Sequence, residues 1–185
     1  MKNMLNYILI LIVVFSFQSC DNAEDLLDQD FTVNIDEKIP VHVDQTAAEK
    51  TLNAAFAPRE FQGSVDLSID TENTHEYLNK IKSVEVKSLT YKFIEFNGDP
   101  TGSVDAALYI NNQLLESNDV IVKTESDKGT IFTVSNPDEL TKIANSLKSG
   151  HKVTARYQGT AICNQNEMNF RIQVMMRVMI VANPL

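Results

Sequence analysis

Tryptophan is absent from this 185-residue chain, cysteine occurs twice and histidine three times. Each shortage narrows the chemistry. Without tryptophan, and with most other aromatics on apolar phases, nothing supports the exposed ring platforms that carbohydrate-binding modules usually present. His42, His75 and His151 show neither His-x-His nor HExxH spacing, so they are expected to be surface or capping residues, with no metal site. The GxSxG, P-loop and GxGxxG patterns are missing too, so there is no nucleophile elbow, nucleotide cradle or dinucleotide fingerprint. No catalytic residue and no cofactor are therefore expected. Basic residues are the scarcer charge, 16 against 25 acids, which argues against nucleic acid and against a polybasic membrane surface.

With 25 acids, some pair of carboxylates is unavoidable and proves nothing. Asp66 and Asp70, on one strand face, would lie ~13 Å apart at ~3.3 Å per residue, too far for either glycosidase geometry. Asp70-Thr71-Glu72-Asn73 and Asn97-Gly98-Asp99 offer oxygen ligands in loops, but neither fits an EF-hand.

The apolar run from Ile8 to Phe17, with only Ser16 interrupting it, is about ten residues, where a membrane span needs ~20. Lys2 precedes it and Ser19-Cys20 follows. A basic start, a short apolar stretch and a small residue before the cut describe a removable secretion signal. The segment Phe17-Gln18-Ser19-Cys20 resembles the lipobox of bacterial lipoproteins, in the looser form of the Bacteroidota, although Leu and a small residue usually stand where Phe17 and Gln18 are. The resemblance implies cleavage before Cys20 and acylation of that residue (a diacylglycerol on its sulfur, a fatty acid such as palmitate on its amino group). One chain binds a membrane marginally and several hold it. The expected location is the outer membrane by a lipid anchor, at the cell surface, with the periplasmic face as the alternative.

Five of the ten residues after Cys20 are acidic. Residues 20–30 read as a solvated tether; Asp21, Glu24 and Asp25 also resemble the surface-export signal of Bacteroidota lipoproteins. Removal of residues 1–19 takes away only Lys2, so the mature chain carries 15 basic and 25 acidic residues and a net charge of −10. With Cys20 acylated, Cys163 has no disulfide partner and is expected to be a buried small hydrophobe.

Residues 31–185 are long enough for one β-rich domain. Phe31-Val33-Ile35, Ile39-Val41-Val43 and Val65-Leu67-Ile69 alternate with polar residues, as strands wet on one face do. A bend at Glu37-Lys38 is expected between the first two. Within residues 83–96 the apolar phase changes between Val84-Val86 and Leu89-Tyr91-Phe93, which predicts a bulge near Ser88 or a crossing between sheets. Strands follow at 103–110 and 119–124, the latter joined by a Ser126–Gly129 hairpin to Ile131–Val134. Residues 136–150 predict a helix, with Asn136 as N-cap, Pro137 at the first position and Gly150 closing it. Weaker helices are expected at 73–81 and 46–56. The alternations at 153–163 and 168–180 predict a terminal hairpin turning at Asn164–Glu167, its second strand shared between both sheets.

About nine short strands with breaker clusters between them predict an antiparallel β-sandwich, Ig-like or jelly-roll-like, with one or two short helices. The lipobox, the stretch NKIKSVEVKSLTYKFIEFNG and the terminal VANPL resemble small uncharacterised β-sandwich lipoproteins of Bacteroidota. The expected function is a non-enzymatic one, binding or scaffolding an envelope partner. The alternatives are a glycan or small-ligand module of an uptake system and, third, a carboxylate-based hydrolase.

Overall fold

The computed structural model describes residues 28–44, 57–164 and 167–183. The helix expected at 46–56 lies outside them. Two four-stranded antiparallel sheets face each other. Sheet I has the order β1 (Gln29–Asp44), β8 (Glu167–Ala182), β3 (Ile81–Asn97), β6 (Phe132–Val134). Sheet II has the order β2 (Arg59–Ser68), β7 (Lys152–Ile162), β4 (Ser103–Ile110), β5 (Gln113–Ile121). The pairing is nested: β1 with β8, β2 with β7, β3 with β6 and β4 with β5. The first half of the chain thus forms a ribbon against the second half, and the ribbon is wrapped into two sheets. That is the jelly roll, the second of the two sandwich forms expected.

β1 is one unbroken strand. Glu37 and Lys38 stay in register with Val174 and Gln173 of β8, so the expected bend does not occur. The phase change in β3 is resolved as a bulge: pairing with β8 shifts between Val86 and Ser88. The extra residue, Lys87, returns Leu89, Tyr91 and Phe93 to the buried face already used by Val86. A further shift between Ile94 and Asn97 contains Glu95, at φ 53°.

Three expectations need correction. β7 and β8 follow one another but lie in opposite sheets, and β8 belongs wholly to sheet I. Alternation states which face a strand buries, not which neighbour it pairs with. β7 and β8 are therefore not the two arms of a hairpin: Ile162 ends one strand in sheet II and Glu167 begins the other in sheet I. Second, residues 122–128 are not strand and turn but a helix, α1 (Val122–Lys128). Gly129 ends it at φ 62°, its N–H bonding to the Glu125 and Ser126 carbonyls. A left-handed glycine serves a hairpin and a helix stop equally, which is why the sequence signal misleads. Third, β5 begins at Gln113, after a two-residue turn at Asn111-Asn112 with φ 47° and 66°.

The principal helix, α2 (Pro137–Gly150), starts as expected: the Asn136 side chain accepts from the Asp138 N–H and Pro137 opens the first turn. It runs through Gly150, and His151 takes the left-handed position at φ 60°. Ile143, Ala144 and Leu147 are buried while Leu140 is half-buried, packed mainly against β3. The 73–81 helix is a short 3-10 turn, His75–Lys80, making three short helices among the described residues. None is long and apolar enough to cross a membrane.

The inner faces supply a continuous apolar core. Phe61, Phe93, Phe132, Phe170, Tyr91 and Tyr157 form an aromatic cluster with ring centroids 5.0–6.0 Å apart. Where edge strands β1 and β2 meet, a Cβ on Gly63 would stand 2.2 Å from the Pro40 carbonyl oxygen. Glycine here lets the two sheets close at that side.

Candidate functional site

The interior is filled with apolar side chains, and both outer faces carry polar clusters beside a depression. On sheet II, polar residues from four strands surround an open groove of about 690 Å³. Gln62, Gln158 and Ser117 line its middle, Ala107 and Gly159 keep its floor low, and Tyr109 stands at one end. Arg156 lies over the Tyr109 ring, 5.2 Å from its centroid. Gly159 pairs with Phe61 on one side and Ala106 on the other. A Cβ there would meet the Asp105 carbonyl oxygen at 2.2 Å, so glycine is what lets β4 and β7 draw together under the groove.

Glu60 and Asp105 flank the groove, each opposite Thr160 on the central strand. Two strand spacings put their Cα atoms ~10 Å apart. Both side chains are exposed, whereas a general acid of the two-carboxylate type is set by burial. Chain spacing did not point to this pair.

Sheet I carries a second cluster at the end of β1 and β8. His42 and Asp44 stand two residues apart on one face of β1, with Asn169 and Glu167 opposite them on β8. His42 Nδ1 bonds to Asn169 Oδ1, and Nε2 lies 2.8 Å from Asp44 Oδ2. The Asn169 amide oxygen raises the His42 pKa most; slight burial opposes it, and the Asp44 and Glu167 carboxylates add to the rise. A depression of about 550 Å³ adjoins the cluster, bordered by His42, Asn169, Gln62, Glu95 and Arg171. Glu95 is held below the usual carboxylate range chiefly by Lys38, 2.7 Å away, with Arg171 at 3.1 Å contributing.

The other candidates have structural roles. Cys163 is buried and accepts from Arg59 Nη1 at 2.9 Å. His151 caps α2, donating its N–H to the Leu147 carbonyl at 2.8 Å. His75 is exposed and bonds Asp70 at 2.8 Å, which raises its pKa. Asp70 lies beyond the end of β2, so it does not share a strand face with Asp66 as expected. Asp66 instead accepts from Lys152 Nζ and Thr154 Oγ1, each at 2.7 Å, and those bonds lower its pKa. Asp99 is buried, with both oxygens engaged: Oδ1 accepts from Thr101 N–H and Oγ1, and Oδ2 from Asn164 N–H. It is a staple between two loops. Met175 and Met179 are half-buried on the outer side of β8.

Cys20, Asp21, Glu24 and Asp25 lie outside the described residues, so no geometry relates them to either face. Comparison with protein-family models and with curated proteins finds no match to this sequence.

Proposed function

We propose that the chain is a lipid-anchored cell-envelope protein with a non-enzymatic binding or scaffolding role, and that it binds through the outer face of sheet II. The observation that carries the binding face is the groove: open, polar and walled by rigid strands, against an interior filled with side chains. Sites on strands hold their geometry better than sites on loops. The anchor rests on the signal-like residues 1–19 and on Cys20. The acidic stretch after Cys20 supports a surface address.

The glycan or small-ligand reading has one observation in its favour. The amide and carboxylate side chains beside Tyr109 are the kind of groups that hydrogen-bond sugar hydroxyls. Hydrolysis through Glu60 and Asp105 is the third reading, and the exposure of both carboxylates weighs against it, because a general acid of that type is set by burial.

The test is site-specific photocrosslinking in native cells, from Gln158 in the groove and from Asn34 on the outer face of sheet I, with an oligosaccharide array probed in parallel. A discrete protein adduct from position 158 and none from position 34 supports the scaffold reading. Saturable oligosaccharide binding abolished by Ala107→Trp supports the glycan reading, and cleavage of the bound sugar supports the hydrolase. Neither an adduct nor saturable binding overturns sheet II as the binding face.

A further inference from the structure

We propose that His42, Asp44 and Glu167 form a three-ligand site for a divalent transition metal of the zinc type on the outer face of sheet I. Their ligand atoms all lie within 4.8 Å of one another. The convergence follows from strand register. Residues two apart on a strand share a face, and residues directly opposite in an antiparallel pair have Cβ atoms ~4.5–5.5 Å apart. Asp44 pairs with Glu167 and His42 with Asn169, so two rows of two side chains form a compact square.

The ring orientation suits a metal. An amide oxygen can only accept, so the bond to Asn169 Oδ1 places the hydrogen on Nδ1. The neutral ring then carries its lone pair on Nε2, which faces the Asp44 carboxylate at 2.8 Å. When protonated, Nε2 donates to Asp44 as an ion pair; when neutral, its lone pair is open to a metal, so a metal competes with a proton for this position. Metal-bound histidines typically donate the other ring nitrogen's hydrogen to an oxygen that fixes the tautomer, the role Asn169 has here.

Ligand type narrows the ion. One imidazole and two carboxylates suit zinc and its first-row neighbours, whereas calcium and magnesium favour oxygen alone. Bond lengths of ~2.0–2.2 Å in a tetrahedral site separate ligand atoms by ~3.4 Å, so the His42–Asp44 pair has to open by ~0.6 Å, which exposed side chains allow. Three protein ligands leave a fourth position, and the adjoining depression gives an outside ligand room to reach it. At His75 the ring pairs with Asp70, and among the described residues no third ligand converges there.

The experiment is calorimetric titration of zinc chloride into the full chain without an affinity tag, with NMR of the histidine side chains. One zinc per chain should bind, moving the His42 ring signals and not those of His75. His42→Ala and Glu167→Gln should each weaken binding at least tenfold, and Asn169→Leu, which removes only the orienting oxygen, by ~10-fold. His75→Ala should leave it unchanged. All four positions are exposed or half-buried, and circular dichroism checks that the variants fold. Absence of saturable binding up to millimolar zinc, or affinity unaffected by His42→Ala, overturns the site.

Discussion

Gly159→Ala should unseat the central strand of sheet II. Its Cβ would stand 2.2 Å from the Asp105 carbonyl oxygen and 2.5 Å from both Cα and Cβ of Ala106, whereas non-bonded carbons rest at ~3.5–4.0 Å. No rotamer relieves the contact, because every atom involved is backbone or Cβ. β4 and β7 have to part by ~1 Å. Overpacking costs ~1–3 kcal/mol, each weakened ladder bond adds ~0.5–1.5 kcal/mol, and the stiffer unfolded chain offsets ~0.4–1 kcal/mol. The balance is a loss of ~3 kcal/mol, or ~6–12 °C in Tm for a chain of this size. Urea denaturation of the variant beside Gly150→Ala provides the contrast. A Cβ at Gly150 meets nothing within 4 Å, and the position is helical, so that variant should gain up to ~1 kcal/mol. A loss below ~1 kcal/mol for Gly159→Ala would refute the close approach of β4 and β7 on which the groove depends.

Tyr91 and Tyr157 provide a second contrast. Tyr91 Oη donates to Asn118 Oδ1 in the core, while Tyr157 Oη has no protein partner among the described residues. Tyr91→Phe should cost ~1–2 kcal/mol by orphaning a buried amide, and Tyr157→Phe should be neutral or stabilising; equal effects in thermal denaturation would contradict this. His75 should titrate above 6.5 by NMR, because bonding to Asp70 raises its pKa, and Asp70→Asn should return it to the ordinary value. That pairing favours the folded state below the unfolded pKa and fades as pH rises through the folded one. For Asp99, burial pushes the carboxyl up, but hydrogen bonds from Asn164 and Thr101 outweigh it and hold the pKa below 3.8. Its contribution is thus present above the unfolded pKa and lost as pH falls through the folded one. Asp99→Asn should flatten the acid limb of the stability–pH curve; an unchanged limb would show that Asp99 is not the staple.

What a single strand does was readable from the chain. The odd apolar residues of β1, β2 and β7 and the even residues of β8 are buried or half-buried as their alternation requires, and the broken phase of β3 marks the bulge at Lys87. Asn136 and Pro137 mark the start of α2 for a local reason, the hydrogen bond that one side chain supplies. What two strands do together was not readable. Val153–Tyr157 and Phe170–Val174 alternate equally well whether they pair edge to edge or face each other across a sandwich. The Asn111-Asn112 turn carried a usable signal, since asparagine tolerates the left-handed backbone of a tight hairpin. Both surface sites depend on register. His42 and Asp44 meet Glu167 only because β1 pairs with β8, and the groove gathers single outward residues from four strands. The signal-like segment is the reverse case, expressed in sequence alone.

The lipid anchor on Cys20 is the claim on which location and function both rest. Intact-mass measurement of the protein extracted from membranes tests it most directly. The expected result is a chain beginning at Cys20 and heavier than its amino acids by a diacylglycerol and an amide-linked fatty acid, with Cys20→Ala released from the membrane. A mature chain with an unmodified Cys20, or a Cys20→Ala protein that still partitions with membranes, would contradict it.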